Sequence, residues 1–371
     1  MKLIFTAAAI FFASFLFAQE HYLLTGTYTR GISTGIYVYR FNAENGSATI
    51  VDSVQTSNPS YLAVSANGQF VYAVNEGVKN GTSDKISAFS FNNKTGKLTL
   101  LNEVLCMGKN PCYVTIDKTG NWLIAGNYSS GNLVVLPVQK NGSLGDATTV
   151  IQHYGKGPKP RQAHAFVHAT VLSPDNQFLY VPDLGIDKIM VYAFNAKTGS
   201  LTPAKDSAVV MKPGAGPRHF EFSPNGKWAY LLQELSGAVT AFAYKKGKLK
   251  PVQTISTLPP NYTGYFTSAD IHVSPDGRFV YASNRDSLNS IAIFKTDAKK
   301  GTLTLVSHQS TLGRTPRNFN FDPSGNFLLV ANQNTHNVVI FKIDHNTGLL
   351  TDNGNRINVG HPVCLKWIKT E

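Results

Sequence analysis

The sequence predicts an all-β fold, a seven-bladed β-propeller with four-stranded blades. Three observations predict it: a hairpin phrase that recurs along the chain, a second strand-turn-strand phrase that follows it, and termini that supply complementary parts of one blade. The composition suits such a fold, because 42% of the residues are hydrophobic, only 15% are charged and 31 are Gly.

The hairpin phrase is an apolar strand, a turn that usually contains Asp or Asn followed by Gly, and a second apolar strand. Asp and Asn suit the leading positions of such a turn, and Gly accepts the positive φ that the turn needs. The turns begin at Ser65, Asp117, Ser173, Ser223, Ser274 and Asp322.

The second phrase has its turn at Gly46, Gly96, Gly142, Gly199, Gly247, Gly301 and Gly348. Seven copies indicate seven units of four short strands, and no segment has convincing helical periodicity. A unit of this size cannot bury both of its faces alone, so the units must stack against their neighbours.

The two termini complete one blade. The segment YLLTGTYT enters as a second strand, whereas HPVCLKWIKT at the other end is a lone strand. Pairing these strands closes the ring and leaves no unpaired edge, although an open two-domain solenoid is the alternative.

Residues 1–18 have the layout of a secretory signal peptide, with Lys2 before an apolar run and the small residue Ala18 after it. The run is shorter than the roughly 20 residues that cross a bilayer, so a membrane anchor is the weaker interpretation. We therefore expect a mature propeller domain of residues 19–371, secreted or periplasmic and free of the membrane.

The formal charge of +12 comes largely from single Lys residues in turns, without a basic helix or an aromatic RNA-binding motif. We expect no nucleic-acid partner and a monomeric protein. The three cysteines, Cys106, Cys112 and Cys364, are too few for a disulfide framework and should be small buried residues.

Aligning the inner strands on their turns brings one residue of each blade to the same mouth of the central channel. The second strand is antiparallel, so its last residues return to that mouth. A single Arg or His there could be structural, but the converging set favours a binding or catalytic site. The residues concerned are His168, Arg218 and Arg317 from the inner strands, and Asn75, Glu76, Asp183, Glu234, Arg285 and Asn332 from the second strands.

The chain resembles the lactonase family of seven-bladed propellers, which includes propeller-type 6-phosphogluconolactonases and fungal carboxy-muconate lactonising enzymes. The resemblance lies in GTYT at residues 26–29, FVHATVLSPD, VPDLGIDKI, GPRHFEFSPNG, LLQEL and ASNR. It implies a catalytic set of His168, Arg218, Glu234 and Arg285.

These residues suit lactone hydrolysis by direct attack of water. Glu234 or His168 would be the general base, and Arg218 and Arg285 would polarise the carbonyl or bind an anionic group. Asn75, Glu76, Asp183, Arg317 and Asn332 would complete the pocket for a small lactone or anionic sugar acid.

No metal or other cofactor is expected, because no other His has a recurring metal-ligand spacing. A lactonising cycloisomerase with the same groups, or a non-enzymatic binding propeller, are the alternatives.

Overall fold

The computed structural model describes residues 20–77 and 84–369, and the predicted signal peptide lies outside them. Within these residues, the chain forms seven four-stranded antiparallel sheets arranged as the blades of a ring. The prediction of an all-β, seven-bladed propeller is confirmed. The described residues contain one short 3-10 turn, Pro160–Gln162, and no helix long and apolar enough to cross a membrane.

Each blade begins with an innermost strand beside the channel and ends with an outermost strand at the rim. In that order, the strands are β28 (Pro362–Lys369), β1 (Glu20–Thr27), β2 (Gly35–Asn42) and β3 (Ala48–Gln55) in blade 1; β4 (Leu62–Val64), β5 (Phe70–Asn75), β6 (Lys85–Asn92) and β7 (Lys97–Leu105) in blade 2; β8 (Pro111–Ile116), β9 (Trp122–Asn127), β10 (Asn132–Pro137) and β11 (Thr149–Gln152) in blade 3; β12 (Val171–Leu172), β13 (Phe178–Asp183), β14 (Lys188–Asn195) and β15 (Ser200–Val210) in blade 4; β16 (Pro217–Phe222), β17 (Trp228–Gln233), β18 (Ala238–Lys245) and β19 (Lys248–Ser256) in blade 5; β20 (Ser268–Val273), β21 (Phe279–Asn284), β22 (Ser290–Thr296) and β23 (Leu303–Ser310) in blade 6; and β24 (Pro316–Phe321), β25 (Phe327–Asn332), β26 (Asn337–Ile343) and β27 (Leu350–Asn358) in blade 7.

The recurring hairpin phrase forms the turn between the two inner strands of a blade. In blade 5, the amide of Gly226 donates to the carbonyl oxygen of Ser223 at 2.8 Å, and Gly226 has a φ of 64°. The amide of Trp228 donates to the Ser223 hydroxyl oxygen at 3.0 Å, which closes the turn. The turn residues therefore set the register of each hairpin.

Neighbouring blades are joined by one type of hydrogen bond, which occurs three times among the described residues. A buried Tyr on the second strand donates its hydroxyl to the carbonyl of the Gly in the outer turn of the next blade. Tyr72 reaches Gly142 at 3.1 Å, Tyr180 reaches Gly247 at 2.8 Å and Tyr281 reaches Gly348 at 2.7 Å. These bonds satisfy the phenol hydroxyls that the interior between blades would otherwise leave unpaired.

The ring closes as the termini predict. Strand β28 pairs antiparallel with β1 from His21, opposite Lys369, to Thr27, opposite Pro362. Blade 1 thus contains both ends of the described chain, and its sheet has four strands, as each of the other sheets does.

The inner strands of five described blades have a β-bulge near the mouth of the channel. The register shifts between Pro111 and Tyr113, Pro217 and Phe220, Ser268 and Ile271, Pro316 and Asn318, and Pro362 and Cys364. A bulge redirects side chains from strict alternation. In blade 5, the shifted segment contains both Arg218 and His219, and both side chains take part in polar clusters at the mouth.

Candidate active site

The candidate site is centred on the carboxylate of Glu234, the first residue after β17. Glu234 is 2% exposed. Its Oε2 accepts from Nε of Arg218 at 2.9 Å, and its Oε1 lies 3.1 Å from Nη2 of Arg285 and 2.6 Å from Nη2 of Arg161. Charge-assisted bonds of this kind are stronger than neutral ones, so one buried carboxylate orients three guanidinium groups.

The electrostatics of this cluster keep Glu234 ionised. Burial raises the pKa of the carboxyl, but Arg285, Arg218 and Arg161 together lower it to about 2. Burial lowers the pKa of Arg218 to about 10, which leaves it protonated at neutral pH. Glu234 is therefore a weak proton acceptor that holds the guanidinium groups in place.

His168 completes the cluster from blade 4. Its Nε2 lies 3.8 Å from Oε2 of Glu234, and its Nδ1 lies 3.7 Å from Sγ of Cys112. Its ring packs edge-to-face on Tyr128, with the centroids 5.3 Å apart. Burial, followed by the charge of Arg218, lowers the pKa of His168 well below its usual value. The imidazole is neutral at physiological pH and retains a lone pair for a proton.

The structure thus brings together all four residues of the predicted catalytic set. Their chemical role remains a prediction, because proximity alone does not assign catalysis.

Glu76 and Arg317 meet on another part of the mouth through Tyr28. The Tyr28 hydroxyl donates to Oε2 of Glu76 at 2.8 Å, and the Arg317 guanidinium carbon lies 5.4 Å from the centroid of the Tyr28 ring. Burial lowers the pKa of Arg317, but Tyr28 and Glu76 reverse this effect and raise it overall. Arg317 is therefore a permanent cation beside a hydrogen-bonded Tyr and carboxylate pair.

Asn75, Asp183 and Asn332 are fully buried at the ends of their second strands and are tied to the protein. The side-chain Nδ2 of Asn75 donates to the backbone carbonyl of Ser57 at 2.7 Å, and Nδ2 of Asn332 donates to the backbone carbonyl of Thr311 at 3.0 Å. These bonds fasten the loop that enters each blade, which is a structural role.

The Asp183 carboxylate is likewise engaged. It accepts from the amide of Phe166 at 2.7 Å and lies 2.8 Å from Nδ1 of His153. Substrate binding by Asn75, Asp183 and Asn332 stays a prediction, and the residue that follows each strand is better placed at the mouth, as Glu76 and Glu234 are.

Sequence reasoning missed Arg161 and the role of Tyr28. Arg161 lies in the 3-10 turn within the long connection between β11 and β12, a segment with no counterpart in the other described blades. That irregularity is the signal that could have identified it, because long loops often carry functional residues. Tyr28 lies in the GTYT segment, directly after β1, at the position of Glu76 in blade 2 and Glu234 in blade 5.

A layer of rings lies beneath the mouth. Tyr61 and Tyr113 stack with centroids 4.1 Å apart, and both contact the His219 ring edge-to-face at 5.8 and 5.4 Å. Nδ1 of His219 lies 2.6 Å from Oδ1 of the buried Asp270. His219 also contacts the His168 ring at 5.4 Å, so this layer is the floor of the candidate site.

Nε of Arg285 and Oγ of Ser60 lie at the mouth and are among the buried polar atoms that have no hydrogen-bond partner in the described residues. An unsatisfied buried donor is costly, and a ligand atom at the mouth would satisfy it.

Positive charge exceeds negative charge among the Arg and Glu side chains that meet at the mouth. The four Arg residues, Arg161, Arg218, Arg285 and Arg317, outnumber Glu76 and Glu234, which leaves two net positive charges. No group of three His, Cys, Asp or Glu residues among the described positions could hold a metal ion. The arrangement can bind an anion, stabilise a developing oxyanion and transfer a proton through a neutral imidazole.

Comparison with known proteins gives consistent matches over nearly the whole chain. The family model described as "Lactonase, 7-bladed beta-propeller" matches residues 22–367. A 6-phosphogluconolactonase of Bacillus subtilis is 37% identical, covering 92% of this chain and 97% of its own length. One of Formosa agariphila is 40% identical, covering 88% and 94% respectively. The solved structure of a periplasmic gluconolactonase of Pseudomonas aeruginosa superimposes with a TM-score of 0.91 at 36% identity, covering 95% of this chain and 100% of that one.

Proposed function

Since this chain belongs to the lactonase family of seven-bladed β-propellers, we infer that it is a lactone hydrolase, a carboxylic ester hydrolase acting on a small-molecule lactone. We propose that the reaction takes place at the channel mouth around Glu234. The observation that carries this placement is the buried Glu234, which orients Arg161, Arg218 and Arg285 beside the neutral His168.

His168 is the better of the two predicted bases. Glu234 is ion-paired to three guanidinium groups, and its pKa of about 2 makes it a poor acceptor. Nε2 of His168 faces Glu234 across 3.8 Å without a direct hydrogen bond. In the proposed reaction, a water molecule near this nitrogen transfers a proton to His168 and its oxygen attacks the lactone carbonyl carbon.

The carbonyl oxygen gains negative charge in this step and needs donors. Nε of Arg285 is a buried donor without a partner among the described residues, which suits the developing oxyanion. Collapse of the tetrahedral intermediate breaks the bond to the ring oxygen, and the proton on His168 passes to that oxygen. The product is an open hydroxy acid, and His168 returns to its neutral state.

The substrate we propose is a sugar lactone that carries an anionic group. The two net positive charges at the mouth favour an anion, and Arg forks match phosphate or carboxylate geometry. Relatives named 6-phosphogluconolactonase support a phosphorylated sugar lactone. The same relatives favour hydrolysis over the lactonising cycloisomerase and over a binding propeller without activity.

We also propose that residues 1–18 are removed as a signal peptide and that the mature chain acts as a secreted or periplasmic monomer. The residue layout supports export, as does the similarity to a gluconolactonase described as periplasmic. Intact mass of the protein recovered from each cell fraction, together with light scattering, tests cleavage, location and monomeric state. A full-length chain in the cytoplasm would contradict export.

The activity test is initial-rate acid release from a panel of sugar lactones, with spontaneous hydrolysis subtracted. His168→Gln should lower kcat by roughly 10²- to 10⁴-fold, and Arg285→Met by roughly 10²- to 10³-fold. His345→Gln in an exposed turn and Arg278→Met, an exposed Arg paired with Asp276, are matched controls. Wild-type rates equal to background would refute the function, whereas full activity in both mouth variants would refute only the placement.

A further inference from the structure

The mouth has two chemically different sides. Blades 4 to 7 supply His168 and the cations Arg218, Arg285 and Arg317, and the connection before blade 4 adds Arg161. Blades 1 to 3 supply uncharged hydroxyl groups, one thiol and one carboxylate instead. These are Ser60 and Cys112 at the starts of the inner strands, and Tyr28, Glu76 and Tyr128 directly after the second strands. The second side lacks the charge to bind an anion but has groups that can bind uncharged hydroxyls.

Ser60 is the least explained residue of this second side. It occupies in blade 2 the position that His168 and Arg218 occupy in blades 4 and 5, directly before the floor residue Tyr61. Ser60 is 3% exposed, and its Oγ has no hydrogen-bond partner among the described residues. A buried hydroxyl is normally satisfied, so its position at a channel mouth indicates a ligand.

Glu76 offers an acceptor on the same blade. Its Oε2 receives the hydroxyl of Tyr28 at 2.8 Å, and its backbone carbonyl receives Nδ2 of Asn58 at 2.8 Å. No hydrogen bond from the described residues reaches its Oε1. A carboxylate accepts hydrogen bonds only, so this oxygen suits a hydroxyl of the substrate. Tyr28 therefore fixes one oxygen of the carboxylate and leaves the other for a ligand.

We propose that Ser60 and Glu76, with Tyr28 as the residue that positions Glu76, form a hydroxyl-recognition subsite that selects polyhydroxylated lactones. This inference rests on the proposed function, because it adds substrate selection to the same site. The Arg side binds the lactone carbonyl and any anionic group, while Ser60 donates to one ring substituent and Glu76 accepts from another. A site built to bond a hydroxyl discriminates against the analogue that lacks it, because its own polar groups then stay unpaired.

The test compares two lactones with the same six-membered ring, D-glucono-1,5-lactone and the unsubstituted δ-valerolactone. The measured quantity is the ratio of their kcat/KM values after subtraction of spontaneous hydrolysis. Wild type should favour the hydroxylated lactone. Ser60→Ala and Glu76→Gln should each lower the ratio about tenfold, the effect of one lost hydrogen bond of about 1.4 kcal/mol.

Three further variants separate recognition from structure. Ser60→Thr keeps the hydroxyl and should retain most of the ratio, and Tyr28→Phe should lower it because Glu76 loses its positioning bond. Ser290→Ala is the matched control, since Ser290 is also buried, has an Oγ without a partner among the described residues, and lies in the third strand of blade 6. Its ratio should equal that of wild type.

The outcomes distinguish this inference from the proposed function. If wild type hydrolyses neither lactone, nor any other sugar lactone, the proposed function fails and the subsite fails with it. If wild type hydrolyses the lactones and the ratio is unchanged in folded Ser60→Ala and Glu76→Gln, the function stands and the subsite is refuted. Should Ser60→Ala not fold, an unchanged ratio in Glu76→Gln alone is sufficient to refute it.

Discussion

Replacing Glu234 with Gln removes the only carboxylate within ion-pair distance of Arg218 among the described residues, while it preserves the shape of the side chain. Arg285 loses the same partner, and both guanidinium groups are largely buried. In this variant, Glu76 is the one Glu side chain that remains beside the four Arg side chains described at the mouth. We expect lower stability and lower activity, because the same carboxylate supports the fold and orients the cations.

Two lines of reasoning give the size of the stability effect. A pKa lowered from 4.5 to about 2 corresponds to about 3 kcal/mol of preferential stabilisation of the charged form. Breaking a buried ion pair by removing one partner costs about 3–5 kcal/mol. Gln keeps one acceptor oxygen, so we expect the free energy of unfolding to fall by about 3 kcal/mol at pH 7.

The effect on activity follows from misplacing the cations. Loss of one oriented oxyanion donor typically lowers kcat by about 10²- to 10³-fold, and Glu234→Gln releases at least one such donor.

Arg161→Met is the matched control for stability, because the Arg161 side chain is 44% exposed and pairs with the same carboxylate. Because the Arg161 side chain is partly solvated, we expect Arg161→Met to lower the free energy of unfolding by only about 1 kcal/mol, less than Glu234→Gln does.

Urea unfolding at several pH values measures the effect. The folded-state pKa of Glu234 lies below its unfolded value, so its contribution is present above pH 4.5 and is lost as the pH falls towards 2. The difference between wild type and Glu234→Gln should therefore be constant from pH 6 to pH 8 and shrink in acid. A variant with wild-type stability and wild-type kcat at pH 7 would show that the carboxylate neither supports nor orients the cluster.

Three other predictions concern groups around the channel. Burial lowers the pKa of His272, but Glu221 and Asp270 raise it to about 10 overall. The protein should therefore be more stable than His272→Gln below pH 6.5, and this difference in the free energy of unfolding should disappear as the pH rises through 10. The same difference at pH 6 and at pH 10.5 would contradict this prediction. Burial raises the pKa of the Cys112 thiol, so iodoacetamide at pH 8 should label this residue only after the protein unfolds. Mass spectrometry of the native and the urea-unfolded protein measures the labelling. Rapid labelling of the native protein would show that the thiol is accessible. Inorganic phosphate should inhibit competitively, less so at high salt and in Arg317→Met, and inhibition insensitive to both would contradict a cationic mouth.

The repeated residues made most of the fold predictable. Six of the seven blades contain the same hairpin turn, so alignment of the turns predicted the strand order and the residues nearest the channel, whereas the two termini predicted the closure of the ring. The four members of the predicted catalytic set lie together because each occupies a repeated position. Arg161 does not, because it lies in an insertion between blades 3 and 4 that no internal alignment covers.

Local geometry set the other limit. Asn75 and Glu76 are neighbours in sequence, but Asn75 fastens the loop entering its blade and Glu76 reaches the mouth. The β-bulge likewise brings Arg218 and His219 into the polar clusters together, which strict strand alternation does not predict. Both features depend on backbone hydrogen bonds across strands, which a single sequence does not show.

The pairing of β28 with β1 has a consequence for how the protein acquires its structure. His21 pairs with a strand at the opposite end of the described residues, so the first blade stays one strand short until β28 has been synthesised. Contacts so distant in sequence slow folding, because the entropy of bringing the ends together must be lost before their bonds form. Ring closure is therefore expected to be a late folding step. A truncated chain without β28 would leave the edge of β1 unpaired, and this edge could pair with another chain and promote aggregation.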